Sequence, residues 1–140
     1  MLLSSRVLVA VASRSIAAVD DAVTLPQFRA LVVLEGGNRK VGELAHELRI
    51  QPSTATRLCD RLVRKGLARR EVDDANRREV TVSLSSTGRS LVREVTARRR
   101  REIASIMAKV PSAQRVMIVK ALTAFCEAAG ESPLVHSVPW

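Results

Sequence analysis

The sequence predicts a mainly α-helical fold with one small β-hairpin, an α+β arrangement. Two short amphipathic helices flank a four-residue turn, a basic hairpin follows them, and longer apolar helices lie at both ends. The length of 140 residues suits one domain, so we expect residues 1–140 to form it. Within it we expect a core at about 24–86, outer helices at 1–20 and 87–130, and a tail at 131–140.

Apolar residues with helical spacing indicate the two short helices. They recur at positions i, i+3, i+4 and i+7 in both segments: Val41, Leu44, Ala45 and Leu48, then Ala55, Leu58, Cys59 and Leu62. Pro52 cannot donate to a helical ladder but suits a first turn, so one helix should end near Ile50 and the next begin at Gln51 or Pro52. The pair is a helix-turn-helix.

Burial of the second apolar stripe leaves a polar face on the second helix. The helical period turns these residues outward: Ser53, Thr54, Thr56, Arg57, Asp60, Arg61 and Arg64. Small hydroxyl side chains at a helix start allow close approach to a phosphate or base edge, and an Arg one turn later can bind guanine in the major groove. The alternative is the solvated face of an ordinary helical hairpin, since such patterns also occur in proteins that touch no nucleic acid.

The segment after the second helix predicts two strands. Gly66 can end that helix in the left-handed conformation, and a strand composition follows at residues 67–72 and 79–84. In the second strand we expect inward-facing Val80, Val82 and Leu84 and outward-facing Thr81 and Ser83.

A polar tip connects the two strands. Residues 73–78 contain the turn-forming residues Asp and Asn and end in Arg77 and Arg78. A helix-turn-helix followed by a basic hairpin is a winged helix-turn-helix, and an Arg on the hairpin tip, the wing, suits a narrow minor groove.

Three further helices are predicted outside this unit, at residues 2–19, 87–109 and 112–129, with Pro111 between the last two. Their apolar residues exceed what one small domain needs to bury: Leu3, Val7, Val11, Val116, Ile118, Val119, Leu122 and Phe125.

Five motifs follow one another from about Thr24 to Val95: Leu25-Pro26-Gln27-Phe28, Val41-Gly42-Glu43-Leu44-Ala45, Ser53-x-x-Thr56-Arg57-Leu58-x-Asp60-Arg61-Leu62-x-x-Lys65-Gly66-Leu67, Arg77-Arg78 and Leu84-Ser85-x-Thr87-Gly88. Together they resemble the MarR family of bacterial transcription regulators, in which they stand in the same order. The chain departs from the family at Asn76, where an Asp usually stands two residues before the wing Arg. Asp73 or Asp74 could take the place of that carboxylate.

The resemblance implies a homodimer in which the terminal helices interlock two chains. Such a dimer would present two recognition helices to double-stranded DNA and read a pseudo-palindromic operator, acting as a repressor. The residues that we expect to bind DNA are Ser53, Thr54, Thr56, Arg57, Arg61, Arg77 and Arg78.

In the family that the chain resembles, a small lipophilic or aromatic acid commonly binds as an effector between the dimer helices and the winged unit, although some members have no known ligand. Phe28, Phe125 and Trp140 are the only aromatic residues of the chain, so we expect a mostly aliphatic pocket with an Arg for the carboxylate. Trp140 lies in a tail that contains proline.

The formal net charge of +9 suits a polyanionic partner. The alternative function is a winged-helix interaction module, which binds nucleic acid such as RNA without sequence specificity or binds an acidic protein. The sequence shows no nucleophile elbow, phosphate-binding loop, pair of catalytic carboxylates or cluster of metal ligands. We therefore expect that the protein is not an enzyme and binds no cofactor or metal.

Cys59 and Cys126 show no metal-binding spacing, and Cys59 belongs to a buried stripe, which favours a structural role over oxidant sensing. The apolar run at residues 7–12 is too short for an export signal or a membrane span, and Arg14 follows it. We therefore expect a cytoplasmic protein without a membrane partner.

Overall fold

The computed structural model describes residues 1–72 and 80–130. The helices are α1 (Leu2–Ala17), α2 (Leu25–Glu35), α3 (Val41–Leu48), α4 (Pro52–Arg64), α5 (Ser86–Ala108) and α6 (Ser112–Ala128). The strands are β1 (Arg39–Lys40), β2 (Ala68–Val72) and β3 (Val80–Leu84). The predicted fold class, mainly helical with a small antiparallel sheet, is confirmed. The chain divides into two compact units, Met1–Arg99 and Arg100–Trp140.

The helix-turn-helix has the predicted boundaries. Arg49 ends α3 in the left-handed conformation, with φ 55°, and Pro52 is the first residue of α4. Seven of the eight predicted inner residues are buried on the two helices: Leu44, Ala45, Leu48, Ala55, Leu58, Cys59 and Leu62. The eighth, Val41 at the start of α3, is only partly buried against the core. Helical period and proline placement therefore locate this element correctly.

The sheet has the order β1-β3-β2, with both pairs antiparallel. Ala68 lies opposite Leu84 and Val72 opposite Val80, as in the predicted hairpin. The third strand, β1, was not predicted, because two residues are too few to show alternation. It exists because the other edge of β3 pairs with it, Arg39 opposite Val82.

The predicted alternation along β3 is partly wrong. Val82 and Leu84 are buried as predicted, but Val80 is only half-buried and Ser83 is buried. Arg69 lies opposite Ser83, and the Glu71 carboxylate accepts a hydrogen bond from the Ser83 hydroxyl at 3.5 Å. Long side chains on the same face of the sheet therefore cover this serine.

The main core belongs to the unit of residues 1–99. Helix α2 supplies its largest buried side chain, Phe28, together with Leu31. The first turn of α2 is fixed by a capping box, in which Thr24 Oγ1 accepts from the Gln27 N–H and Gln27 Oε1 accepts from the Thr24 N–H.

The outer helices differ in how much they bury. In α1, Val11 is buried within the chain, contrary to the expectation that it belongs to a surplus apolar surface, whereas Leu3 and Val7 are exposed. Helix α6 buries none of its side chains, and five large apolar ones are exposed: Val116, Met117, Val119, Leu122 and Phe125. No helix in the described part of the chain is long and apolar enough to cross a membrane.

Candidate nucleic-acid interface

The exposed face of α4 holds five of the residues predicted to bind DNA. Exposed side chains line it from its first turn: Ser53, Thr54, Thr56, Arg57 and Arg61. The Thr56 hydroxyl donates to the Pro52 carbonyl at 3.0 Å, which holds that side chain close to the helix. Arg57 and Arg61 lie one turn apart on the same face, so the helix presents small hydroxyls first and guanidinium groups next.

Asp60 is the acidic residue of α4, and it is paired. Its Oδ1 accepts from Arg70 Nη1 of β2 at 2.8 Å, and both side chains remain partly exposed. The pair offsets a negative charge that would otherwise oppose the approach of a phosphate backbone. Arg70 was not singled out from the sequence, because nothing in the pattern of β2 indicates its partner on α4.

The C-terminal end of α4 closes with two capping hydrogen bonds. The Leu67 N–H donates to the Leu62 carbonyl at 2.9 Å, and the Gly66 N–H donates to the Val63 carbonyl at 2.9 Å. This is a Schellman motif, and it places Gly66 at φ 69°, where a side chain would be strained. The predicted role of Gly66 as the helix stop is confirmed.

Ser85 joins this end of α4 to the beginning of α5. Its hydroxyl donates to the Gly66 carbonyl at 2.6 Å and accepts from the Gly88 N–H at 2.9 Å. A Cβ on Gly88 would lie 2.0 Å from the Leu67 carbonyl oxygen, so only glycine allows α5 to start this close. The motif Leu84-Ser85-x-Thr87-Gly88 is thus a structural joint beside the candidate interface.

Cys59 lies on the inner side of α4 and is buried. Burial raises the pKa of its thiol above the ordinary value, while the charge of nearby Arg70 acts in the opposite direction and less strongly. A raised thiol pKa leaves little reactive thiolate at neutral pH, which favours the structural role. Cys126 is exposed on α6.

Arg99 lies in the middle of α5, at the end of the first unit, with its guanidinium carbon 5.2 Å from the centroid of the Phe28 ring. Its Nε and Nη2 atoms are buried and have no hydrogen-bond partner among the described residues, and burial lowers the pKa of the guanidinium. This Arg is therefore held by packing.

The predicted wing residues Arg77 and Arg78, together with Asp73, Asp74 and Asn76, lie outside the described residues. Their assignment remains a prediction from the sequence.

Elsewhere, an open polar depression lies beside α3, lined by Asn38, Arg39, Gly42, Glu43, His46 and Glu47. The Arg39 Nε donates to Glu47 Oε1 at 2.6 Å, so these two charges already pair within the chain. Within residues 1–72 and 80–130, no three His, Cys, Asp or Glu side chains are placed to hold a metal ion.

Comparison with known proteins places this geometry in a family. The sequence profile of the MarR family matches residues 23–79. The chain is 38% identical over 79 residues to YsmB, an uncharacterized HTH-type transcriptional regulator of Bacillus subtilis (strain 168), covering 56% of this chain and 54% of that protein. The chain spans about half the length of the curated relatives it matches.

Solved structures extend the likeness over nearly the whole chain. RV1404 of Mycobacterium tuberculosis is 46% identical, with a TM-score of 0.88, over 94% of this chain and 90% of that chain. A MarR family protein of Bacillus stearothermophilus is 28% identical, with a TM-score of 0.76, over 91% of each chain.

A mutant of E. coli MarR in complex with operator DNA shares the fold, with a TM-score of 0.68 at 18% identity over 88% of each chain. The matched motifs, the winged helix-turn-helix and the relatives that share both show that this chain belongs to the MarR family.

Proposed function

We propose that the chain is a transcription regulator that binds double-stranded DNA in a sequence-specific manner, with α4 in the major groove. The observation that carries this proposal is the exposed face of α4, where hydroxyl residues precede Arg57 and Arg61 and Asp60 is paired. The net charge of +9 and the E. coli MarR fold bound to operator DNA support it.

The side chains divide into base-reading and backbone-holding groups. Ser53, Thr54 and Thr56 approach phosphates or base edges at the start of α4. Arg57 reads a base and Arg61 holds a phosphate, because a recognition helix enters the groove with its N-terminal residues. Arg77 and Arg78 extend the contact into the minor groove from the wing.

We further propose that the chain acts as a homodimer. In this arrangement residues 1–140 form one functional domain, with a winged core at 24–86 and dimerisation helices at 1–20 and 87–130. The exposed apolar residues on α6, and Leu3 and Val7 on α1, support this, because a single chain would leave them in water. Sedimentation at micromolar concentration tests it, and a species of only 15.3 kDa would contradict it.

The regulator would act as a cytoplasmic repressor on a pseudo-palindromic operator, released by a small lipophilic or aromatic acid. The family membership supports this finer assignment, and the symmetry of a dimer requires two related half-sites. A ligand screen against the bound operator tests the effector.

The alternative is a module that binds nucleic acid without sequence preference, or an acidic protein; the charge of +9 would serve this function equally well. Selection of bound duplexes from random DNA separates the two. A regulator enriches one inverted repeat and binds it with a steep salt dependence, whereas the module shows salt dependence without enrichment.

A further inference from the structure

Lys65, the residue that caps the C-terminal end of α4, reaches back across the fold to the beginning of α2. Its ammonium group donates to the Ala22 carbonyl oxygen and to Gln27 Oε1, the latter at 3.0 Å. These partners lie 43 and 38 residues earlier in the chain. A lysine at this end of a helix would ordinarily be free in solvent, where it favours the helix dipole.

The partners of Lys65 belong to an ordered local network. Gln27 is 4% exposed, and its Oε1 also accepts from the Thr24 N–H at 3.2 Å. The Ala22 N–H donates to Asp20 Oδ1 at 2.9 Å, and the neighbouring Val23 is buried. Lys65 is therefore bound to a fixed platform, the segment of residues 20–27.

The two hydrogen bonds already engage the charged ammonium group of Lys65. Both acceptors are neutral, and hydrogen bonds from a charged donor to such groups contribute more to stability than neutral pairs. To bind a DNA phosphate, the ammonium would have to give up these bonds or share its remaining N–H. At the other side of the same turn, Ser85 binds the Gly66 carbonyl. The end of α4 is thus anchored at two points.

We propose that Lys65 is a positioning residue, which fixes the direction of α4 against residues 20–27 and thereby sets sequence discrimination, without itself binding DNA. This inference rests on the proposed DNA-binding function. It predicts that loss of Lys65 lowers affinity for the selected operator more than affinity for random duplex.

The test compares Lys65→Met with Arg64→Met, since both remove one cation from the same end of α4 and Arg64 is exposed. Lys65→Met should lower the ratio of specific to non-specific affinity about tenfold, the scale of one charged hydrogen bond. The slope of log K against log salt should stay unchanged. Arg64→Met should leave the ratio unchanged.

Variants of Gln27 supply a second test that alters no phosphate contact. Gln27→Met should reproduce the loss of discrimination, and the double variant with Lys65→Met should lose less than the sum of the two. Gln27→Glu keeps the acceptor and should retain discrimination even if Gln27→Met folds poorly. Thermal unfolding of each variant confirms that affinities are measured on folded protein.

Two results would overturn the proposal. The first is an equal loss of specific and non-specific affinity in Lys65→Met together with a salt slope reduced by about one, because this combination marks a phosphate contact. The second is additivity of the effects of Lys65→Met and Gln27→Met. If the wild-type chain prefers no sequence, the proposed DNA-binding function fails. Hydrogen exchange then still tests whether Lys65 holds the segment of residues 20–27, because it needs no DNA. Amide exchange at residues 22–27 should accelerate in Lys65→Met and stay unchanged in Arg64→Met.

Discussion

Asp60 of α4 and Arg70 of β2 form an ion pair, with Oδ1 and Nη1 2.8 Å apart, that connects α4 to the hairpin. The side chains are 44% and 35% exposed, so the pair contributes at most about 1 kcal/mol to folding. We expect its larger effect on DNA binding, because it neutralises a carboxylate on the face of α4 that we propose to bind DNA.

Removal of Arg70 should therefore impair DNA binding more than stability. In Arg70→Ala the Asp60 carboxylate is unpaired and repels the backbone, so affinity should fall several-fold while the unfolding free energy changes by less than about 1 kcal/mol. Titration with operator DNA and thermal unfolding measure the two effects. The double variant Asp60→Asn/Arg70→Ala should regain most of the affinity; if it binds as weakly as Arg70→Ala, Arg70 contacts DNA directly.

Arg57 and Arg61 should differ in the kind of loss they cause. Arg57→Ala should cost about 1–3 kcal/mol and relax the base preference at one position of each half-site. Arg61→Ala should weaken binding to all duplexes alike and reduce the salt slope by about one. Sequence selection and salt titration of both variants measure this. Identical sequence preferences with equal losses would refute the division of roles.

The wing assignment predicts a preference for flanks rich in A·T. A narrow minor groove concentrates negative potential that attracts a guanidinium, and neighbouring residues of a strand point to opposite faces, so only one of Arg77 and Arg78 should insert. Affinity for operators with A·T or G·C flanks, measured in Arg77→Ala and Arg78→Ala, identifies it. An unchanged flank preference in both variants would falsify the wing assignment.

Gly88 should tolerate no side chain. In Gly88→Ala the new Cβ would lie 2.0 Å from the Leu67 carbonyl oxygen, a backbone atom, so we expect a loss of at least about 1–3 kcal/mol in unfolding free energy. Gly42→Ala is the matched control, because a Cβ there meets nothing within 4 Å and alanine favours a helix. Denaturant unfolding should show destabilisation for Gly88→Ala only; equal stability of the two variants would contradict the close contact.

Cys59 should make stability fall at alkaline pH. Burial raises its pKa in the folded chain, so the folded state holds the proton that the unfolded state loses near pH 9.0. Stability is then full below that pH and decreases as pH rises from the unfolded towards the folded pKa. Urea unfolding of the wild type and Cys59→Ala between pH 7 and 10.5 checks this. The decrease in stability that Cys59 causes at alkaline pH should be absent from Cys59→Ala. In the folded wild type, the exposed Cys126 should react with iodoacetamide before the buried Cys59 does.

The local elements of the fold were predictable from the sequence, whereas the contacts between them were not. Helical spacing and Pro52 located α3 and α4, and Gly66 marked the end of α4, because each signal acts within one turn. Strand β1 depends on a distant edge of β3 and left no local pattern. Helix α2 was not predicted as a helix, and only its motif Leu25-Pro26-Gln27-Phe28 was noted, as part of the family resemblance.

The candidate site follows the same division. The exposed hydroxyls and arginines of α4 follow from its period, and the structure places all five on one exposed face. The partners of Asp60 and Lys65 lie on other elements, so their pairing depends on tertiary packing that no sequence period encodes. Arg70 and Lys65 consequently acquired their proposed roles only from the structure.

Ser85 is the only residue between β3 and α5, and it is 5% exposed. Because its hydroxyl is hydrogen-bonded to both the Gly66 carbonyl at the end of α4 and the Gly88 N–H in the first turn of α5, the start of α5 cannot rotate without changing one of these bonds. Turning the start of α5 would pull on the Gly66 carbonyl and tilt the final turn of α4. A rotation of the start of α5 would therefore be transmitted through the Ser85 hydroxyl to the end of α4, the helix that we propose to read DNA.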